Sequence, residues 1–213
     1  DINTDMKETF LPVIEEKYPG LKIGVGGDAE SEALFLSELM SLFAIALFVM
    51  YALIAIAFRS YWLPLLVMTA IPFGFMGAVY GHLMFNVSMA MFSYFGIGAA
   101  AGVVVNDNLV LVDYIEGLQA KGHSAIEAVV EAGIARFRPI LLTSVTTFVG
   151  LMPIMAERST DAQFLKPAVL SLSFGVLFAL FVSLFMVPVL YCIGDDLNRF
   201  RRRLKAWFLF KVN

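Results

Sequence analysis

The sequence predicts an all-α membrane protein of five transmembrane helices, preceded by a short α/β remnant on the extracytoplasmic side. Three observations carry that prediction. Apolar residues make up 60% of the 213-residue chain and charged ones only 15%, against about 25% charged in a soluble domain. The charges gather at the two ends and in a few short patches. Between the patches lie uncharged runs of the length that ~30 Å of hydrocarbon requires at 1.5 Å per helical residue.

Residues 1–38 form the remnant and a lead-in helix. Thr4 is placed to cap a helix through Lys17, which Pro19-Gly20 ends, and Leu21 to Val25 alternates like a short strand. One helix and one strand cannot bury a core alone. A polar-faced helix from Ser31 leads into the first span, residues 39–58. No formal charge occurs from Ser60 to Asn106, too long a run for one span and enough for two, with the break at Gly81 to Asn86. The spans are then 62–82 and 89–115. Residues 117–137 are charged and amphipathic around Ile126, Val129, Val130 and Ile134. The fourth span covers 139–156, with Pro139 in a tolerated first-turn position. Glu157 to Lys166 reads as a polar loop, 168–193 as the fifth span, and 194–213 as a basic tail. Pro64, Pro72 and Pro188 read as kinks or ends.

Five spans put the termini on opposite sides. Arg59, Lys121, Arg136, Arg138 and the tail's Arg199, Arg201, Arg202, Arg203, Lys205 and Lys211 share one side, and only Arg158 and Lys166 fall in short loops on the other. That excess assigns the first side to the cytoplasm, and residues 1–38 to the outside. The net charge of −3 says little beside this distribution. Cys192 is the one cysteine, so no internal disulfide forms. A chain that starts at Asp1 without a signal-peptide pattern reads as part of a longer polypeptide.

The third span holds the chemistry. Gly98 and Gly102 make a small-xxx-small stripe that favours close approach of a neighbouring helix, and Asn106 continues it. Asp107 and Asn108 follow at about 100° and 200° around the helix, so the three cannot address one partner. With the span centred near Val103, Asp107 lies roughly 6 Å from the midplane, where a carboxylate costs ~2.5–3.5 kcal/mol. A group that expensive marks a proton or ion route. The bland alternative is a protonated Asp107 that only locks helix packing. Asp113 reads as a solvated end residue.

In the fourth span Thr143, Thr147 and Gly150 share a face. Hydroxyls in helices often bond their own backbone, which accounts for Ser144 and Thr146, whereas Thr143 facing a carboxylate would carry a proton through water. Arg136 and Arg138 mark the cytoplasmic end and anchor it. His82 and His123 have no metal-ligand spacing, and no nucleophile–base pair supports an enzyme. The 20 Phe and 11 Met read as lipid-facing or packing residues, with no alignment that suggests a metal route. No metal or cofactor is expected, only protons as coupling ion. The lipid bilayer is the surrounding partner, and nothing points to nucleic acid.

Several segments together resemble the second half of a resistance–nodulation–division (RND) permease, in order and spacing over nearly the whole chain. They are Gly102 to Tyr114, Ala128 to Arg138 running into Pro139-Ile140-Leu141-Leu142-Thr143-Ser144, Gly150-Leu151-Met152-Pro153, Glu157 to Leu165, and Val187-Pro188-Val189-Leu190-Tyr191. The resemblance implies that residues 1–38 close a periplasmic domain and that the five spans are the eighth to twelfth of an intact permease. It implies a homotrimer in the bacterial inner membrane that works with a periplasmic adaptor and an outer-membrane channel. It also implies an N-terminal half of the same permease, whose fourth span carries the family's acidic pair, absent here. In the family the second half answers with a polar residue at the position of Asn106 and a Thr at that of Thr143. Many drug exporters have Lys at the first position, so Asn106 excludes a charge-switching lysine partner. Asp107 replaces a second Asn common in the asparagine-bearing branch. Whether it joins the relay or supplies the acid in a variant arrangement stays open.

Two functions follow as expectations. In the first, the chain is the C-terminal transmembrane part of a proton-driven exporter of apolar or amphiphilic compounds, with a proton relay of Asn106, Asp107, Asn108 and Thr143 shared with the N-terminal half. In the second, it is a structural membrane module or truncated fragment with no activity of its own.

Overall fold

In the computed structural model the backbone is described for residues 28–212 and at positions 10, 11 and 13, with side chains over 31–197 and at Phe10, Leu11, Val13 and Phe200. The expected first helix and strand, residues 4–25, lie outside the described residues apart from those three positions, and so do the basic side chains of the tail from Arg199 on. Two units divide the chain, Asp1–Leu42 and Phe43–Asn213. Among the described residues there are six helices and no strand: α1 (Asp28–Phe58), α2 (Trp62–Met68), α3 (Ile71–Phe85), α4 (Met91–Ala120), α5 (Ala125–Ala156) and α6 (Thr160–Val212). Taking α2 and α3 as one passage, five stretches are long and apolar enough to cross a membrane, and the all-α membrane reading holds.

Local chemistry explains the breaks. Pro72, in the first turn of α3, has no N–H for the Met68 carbonyl and disfavours helical geometry at Ile71, so the passage interrupts at Thr69-Ala70. Asn86 ends α3 in the left-handed conformation, φ 51°, which Asn tolerates. Arg59 takes a similar φ of 50° in the turn after α1. Ser124 and Glu127 form a reciprocal capping box that starts α5.

Two connections differ from the sequence reading. The amphipathic segment and the fourth span are one 32-residue helix, with Pro139 inside it and not in a first turn. A transmembrane helix tolerates the lost Ala135 bond that Pro139 causes. Glu157 to Lys166 is not a loop throughout, because α6 begins at Thr160 and passes through Pro167. Only Glu157, Arg158 and Ser159 separate α5 from α6. There the backbone N–H groups of Arg158 and Ser159 donate to Glu157 and hold its carboxyl below the usual range. On the amphipathic stretch Val129 turns inward, while Ile126, Val130 and Ile134 stay exposed.

Within Phe43–Asn213, α6 is the hub, packing on α2, α3, α4 and α5. Lipid tails are as apolar as Leu, so helices in a bilayer associate through close packing and not through exclusion of water. Small residues on α6 permit that approach: Ser171, Ser173, Gly175 and Ala179 are all buried. Opposite them a Cβ at Gly77 would lie 2.5 Å from the Phe174 carbonyl oxygen, and one at Gly81 2.7 Å from the Phe174 ring. The Phe174 ring also meets Phe85 of α3 and Phe148 of α5 edge-on, at 5.7 and 5.4 Å, so one aromatic wedges three helices. At the other end the core is aliphatic, centred on Leu66, Val67, Leu111, Val112, Ile115 and Val187.

His82 locks the end of α3 to α6. It is buried, with Nδ1 3.0 Å from the Val87 carbonyl oxygen and Nε2 3.0 Å from the Ser171 hydroxyl. A carbonyl only accepts, so Nδ1 carries the proton and Nε2 accepts from Ser171. His82→Leu strands both partners and is expected to cost about 1–3 kcal/mol, read as an earlier unfolding midpoint in a denaturing-detergent titration. An unchanged midpoint would show the lock to be idle.

Candidate functional site

Helix α4 has 30 residues and is therefore ~45 Å long. Its midpoint falls between Val105 and Asn106. The polar triplet Asn106-Asp107-Asn108 thus occupies the centre of a helix otherwise apolar there, and its members part company at 100° per residue. Asn106 is exposed, Asp107 half-buried and Asn108 buried.

Asn108 belongs to the packed face, with Gly96, Ile97, Ala100, Ala101, Val104, Val105, Leu111, Val112 and Ile115. Its Nδ2 donates to the Val67 carbonyl at 3.0 Å. Val67 lies in the last turn of α2, where carbonyls lack helical donors, so Asn108 caps that broken passage from across the helix interface. Asn106 and Gly102 lie on the opposite face. A Cβ at Gly102 would meet nothing within 4 Å, and one at Gly98 only the Phe43 ring at 3.8 Å. No described helix of the chain uses that stripe for close approach. The tight contact is at Gly96, where a Cβ would run into the Ala168 carbonyl oxygen and lie 2.7 Å from Ser171 Cβ. Asp107 sits between the two faces.

On α5 the hydroxyls exchange the parts expected of them. Thr143 donates to the Pro139 carbonyl at 2.9 Å, Thr146 to Leu142 at 2.7 Å and Thr147 to Thr143 at 2.8 Å. Thr143 is exposed and back-bonded, the role expected of Ser144. Ser144 instead is buried, and its hydroxyl has no partner. Adjacent hydroxyls give no sequence signal for which one turns inward. Thr143 keeps its lone pairs and can still accept a hydrogen bond.

Arg136 and Arg138 separate as well. Arg138 is exposed, while Arg136 stacks over the Tyr114 ring of α4 at 4.8 Å, a cation–π contact worth ~0.5–2 kcal/mol that ties α4 to α5. A further tie missed in the sequence joins α4 to α6: the Tyr191 hydroxyl donates to Glu116. Its only signal was the position of Tyr191 in the Val187–Tyr191 motif. Among the described residues no group of three or more His, Cys, Asp or Glu side chains is placed to hold a metal ion.

Chemically, the centre of α4 offers one group that can take and release a proton, Asp107, beside an amide, Asn106, that can donate and accept. Asn106 lies on the face that no other described helix covers closely, and Asp107 at its edge.

The model of the AcrB/AcrD/AcrF family matches residues 6–195. Multidrug resistance protein MdtC of Proteus mirabilis (strain HI4320) is 26% identical over 164 residues, covering 76% of this chain and 16% of that protein. Its namesake in Erwinia tasmaniensis is 27% identical over 155 residues, covering 72% of this chain and 15% of that protein. The chain therefore spans about a sixth of the length of the curated relatives it matches. Two crystal forms of a heavy metal efflux pump share the fold, with TM-scores of 0.76 and 0.75 at 23% and 21% identity. Each covers 92% of this chain, and the match takes in 20% and 19% of the pump.

Proposed function

The chain belongs to the AcrB/AcrD/AcrF family of RND permeases, and on that premise we propose that it forms part of the membrane domain of a proton-driven exporter of apolar or amphiphilic compounds. One observation carries the proposal: a carboxylate, Asp107, at the centre of a membrane-spanning helix, beside an exposed amide on a face that no other described helix of the chain covers closely. Intramembrane acids are costly and typically line ion or proton routes. The open face is where an N-terminal half of the same permease would bring its own acids.

In this reading Asp107 carries the proton and Asn106 holds its partner across the interface. Thr143 accepts through its free lone pairs while its own hydroxyl proton stays donated to the Pro139 carbonyl. Asn108 contributes by fixing the register of α4 against α2, which keeps Asp107 at its depth. Each charge moved through 100 mV supplies ~2.3 kcal/mol, so a few protons suffice to shift a two-state bundle. The end bearing Arg59, Lys121, Arg136 and Arg138 faces the cytoplasm of the bacterial inner membrane. A homotrimer, a periplasmic adaptor and an outer-membrane channel complete the assembly. The names of the MdtC relatives support drug-like compounds as substrates.

Reconstitution into liposomes tests the proposal. The complete transporter is expected to move substrate only when a proton gradient is imposed, and the present chain alone to give neither proton leak nor substrate flux. Gradient-independent transport, or flux through this chain by itself, overturns it.

A further inference from the structure

At the basic end of the bundle a cavity of about 510 Å³ opens between the α1–α2 turn, the end of α4 and the stretch of α6 from Tyr191 to Asp195. Its lining is mixed in charge. Arg59 supplies one cation, Glu116 and Asp195 supply two carboxylates, and Trp62 and Tyr191 supply the aromatic walls. None of these residues enters the proton route proposed above. We propose that this cavity binds the headgroup of a zwitterionic aminophospholipid, phosphoethanolamine on a diacylglycerol, from the leaflet at that end.

Three features support the assignment. Depth comes first: Tyr61 and Trp62, both exposed beside Arg59, are the aromatic and basic residues that settle at the headgroup level of a bilayer. Second, the walls are fixed in place. Gly194 makes room for the Trp62 indole, since a Cβ there would lie 2.5 Å from Trp62 Nε1. The Tyr191 hydroxyl holds the Glu116 carboxylate and lies 3.0 Å from the Gln119 amide oxygen. Third, the charge pattern suits one headgroup class. A phosphate finds the Arg59 guanidinium, which pairs with phosphate in two parallel hydrogen bonds, and a primary ammonium with three donors finds carboxylates. Among the described residues an anionic glycerol headgroup would meet two carboxylates and a single cation. A choline headgroup fills the same space but has no N–H to donate.

The test is lipid retention, measured by native mass spectrometry on the complete transporter after equilibration with equal amounts of phosphatidylethanolamine, phosphatidylcholine and phosphatidylglycerol. Phosphatidylethanolamine is expected to be retained preferentially, and water-soluble phosphoethanolamine in excess not to displace it. Glu116→Gln and Arg59→Asn should each reduce retention about tenfold, the loss of one hydrogen bond to a charged group. Asn at position 59 keeps the left-handed turn, so the second variant folds even if the first does not. Equal retention of the three lipids, retention unchanged in both variants, or displacement by soluble phosphoethanolamine overturns the proposal. Because lipid retention is read without transport, its failure is separate from failure of the exporter reading.

Discussion

Asp107→Asn is expected to lower substrate efflux by the complete transporter about tenfold or more, since a positioned proton carrier contributes at least that much to a proton-transfer step. The variant is chosen because it changes chemistry and little else. Asn matches Asp in shape, keeps hydrogen-bonding capacity, and removes a group that costs ~2.5–3.5 kcal/mol at membrane depth. Expression and thermal stability should therefore hold or rise as efflux falls. Asp107→Glu keeps the acid one methylene further out and should retain part of the transport. Efflux measured at matched expression decides the matter: wild-type rates in Asp107→Asn would remove this side chain from the mechanism and leave it a packing group.

The second large effect is structural. Gly96→Ala should destabilise the bundle by about 3 kcal/mol or more, at the upper end of what overpacking costs. The obstruction is backbone, the Ala168 carbonyl, and not the far end of a flexible side chain, so α4 and α6 must part. Parting them loosens Ser93, Ala100 and Ser171, all fully buried now. Gly102→Ala, six residues on, meets nothing within 4 Å and should stabilise this chain by up to about 1 kcal/mol through helix propensity alone. Denaturing-detergent titrations of the two variants are the check. Comparable losses in both would mean that the α4–α6 contact is not where the close approach lies.

The contrast between Gly96 and Gly102 also marks where the sequence stops being legible. Span number, the break near Asn86 and the gathering of basic residues at one end could all be read, because lipid imposes them on composition and length. Which face of α4 meets its neighbour could not. Gly98, Gly102 and Asn106 form one small-residue row and Gly96, Ala100 and Val104 another, and spacing alone does not rank them. The continuity of α5 through Pro139 was hidden for a related reason, since a proline that ends a helix in water is tolerated in a bundle whose neighbours compensate. Ser144 and Thr143 exchanged roles because inward rotation depends on the packing of α5 against the other helices. In the candidate site, the position of the polar triplet along its helix was legible and its direction was not. Helix rise alone put Asp107 near the middle of its helix, where α4 has it, whereas the assignment of Asn108 to a capping bond with Val67 required the interruption between α2 and α3 to be seen.

Protonation of Asp107 during turnover is the point on which the exporter reading stands, and infrared difference spectroscopy observes it directly. The complete transporter, in liposomes with substrate present, is recorded before and after a proton gradient is imposed. A carboxylic-acid C=O band that changes with the gradient, and is missing from the difference spectrum of Asp107→Asn, is the predicted result. A difference spectrum identical in wild type and variant would contradict the account.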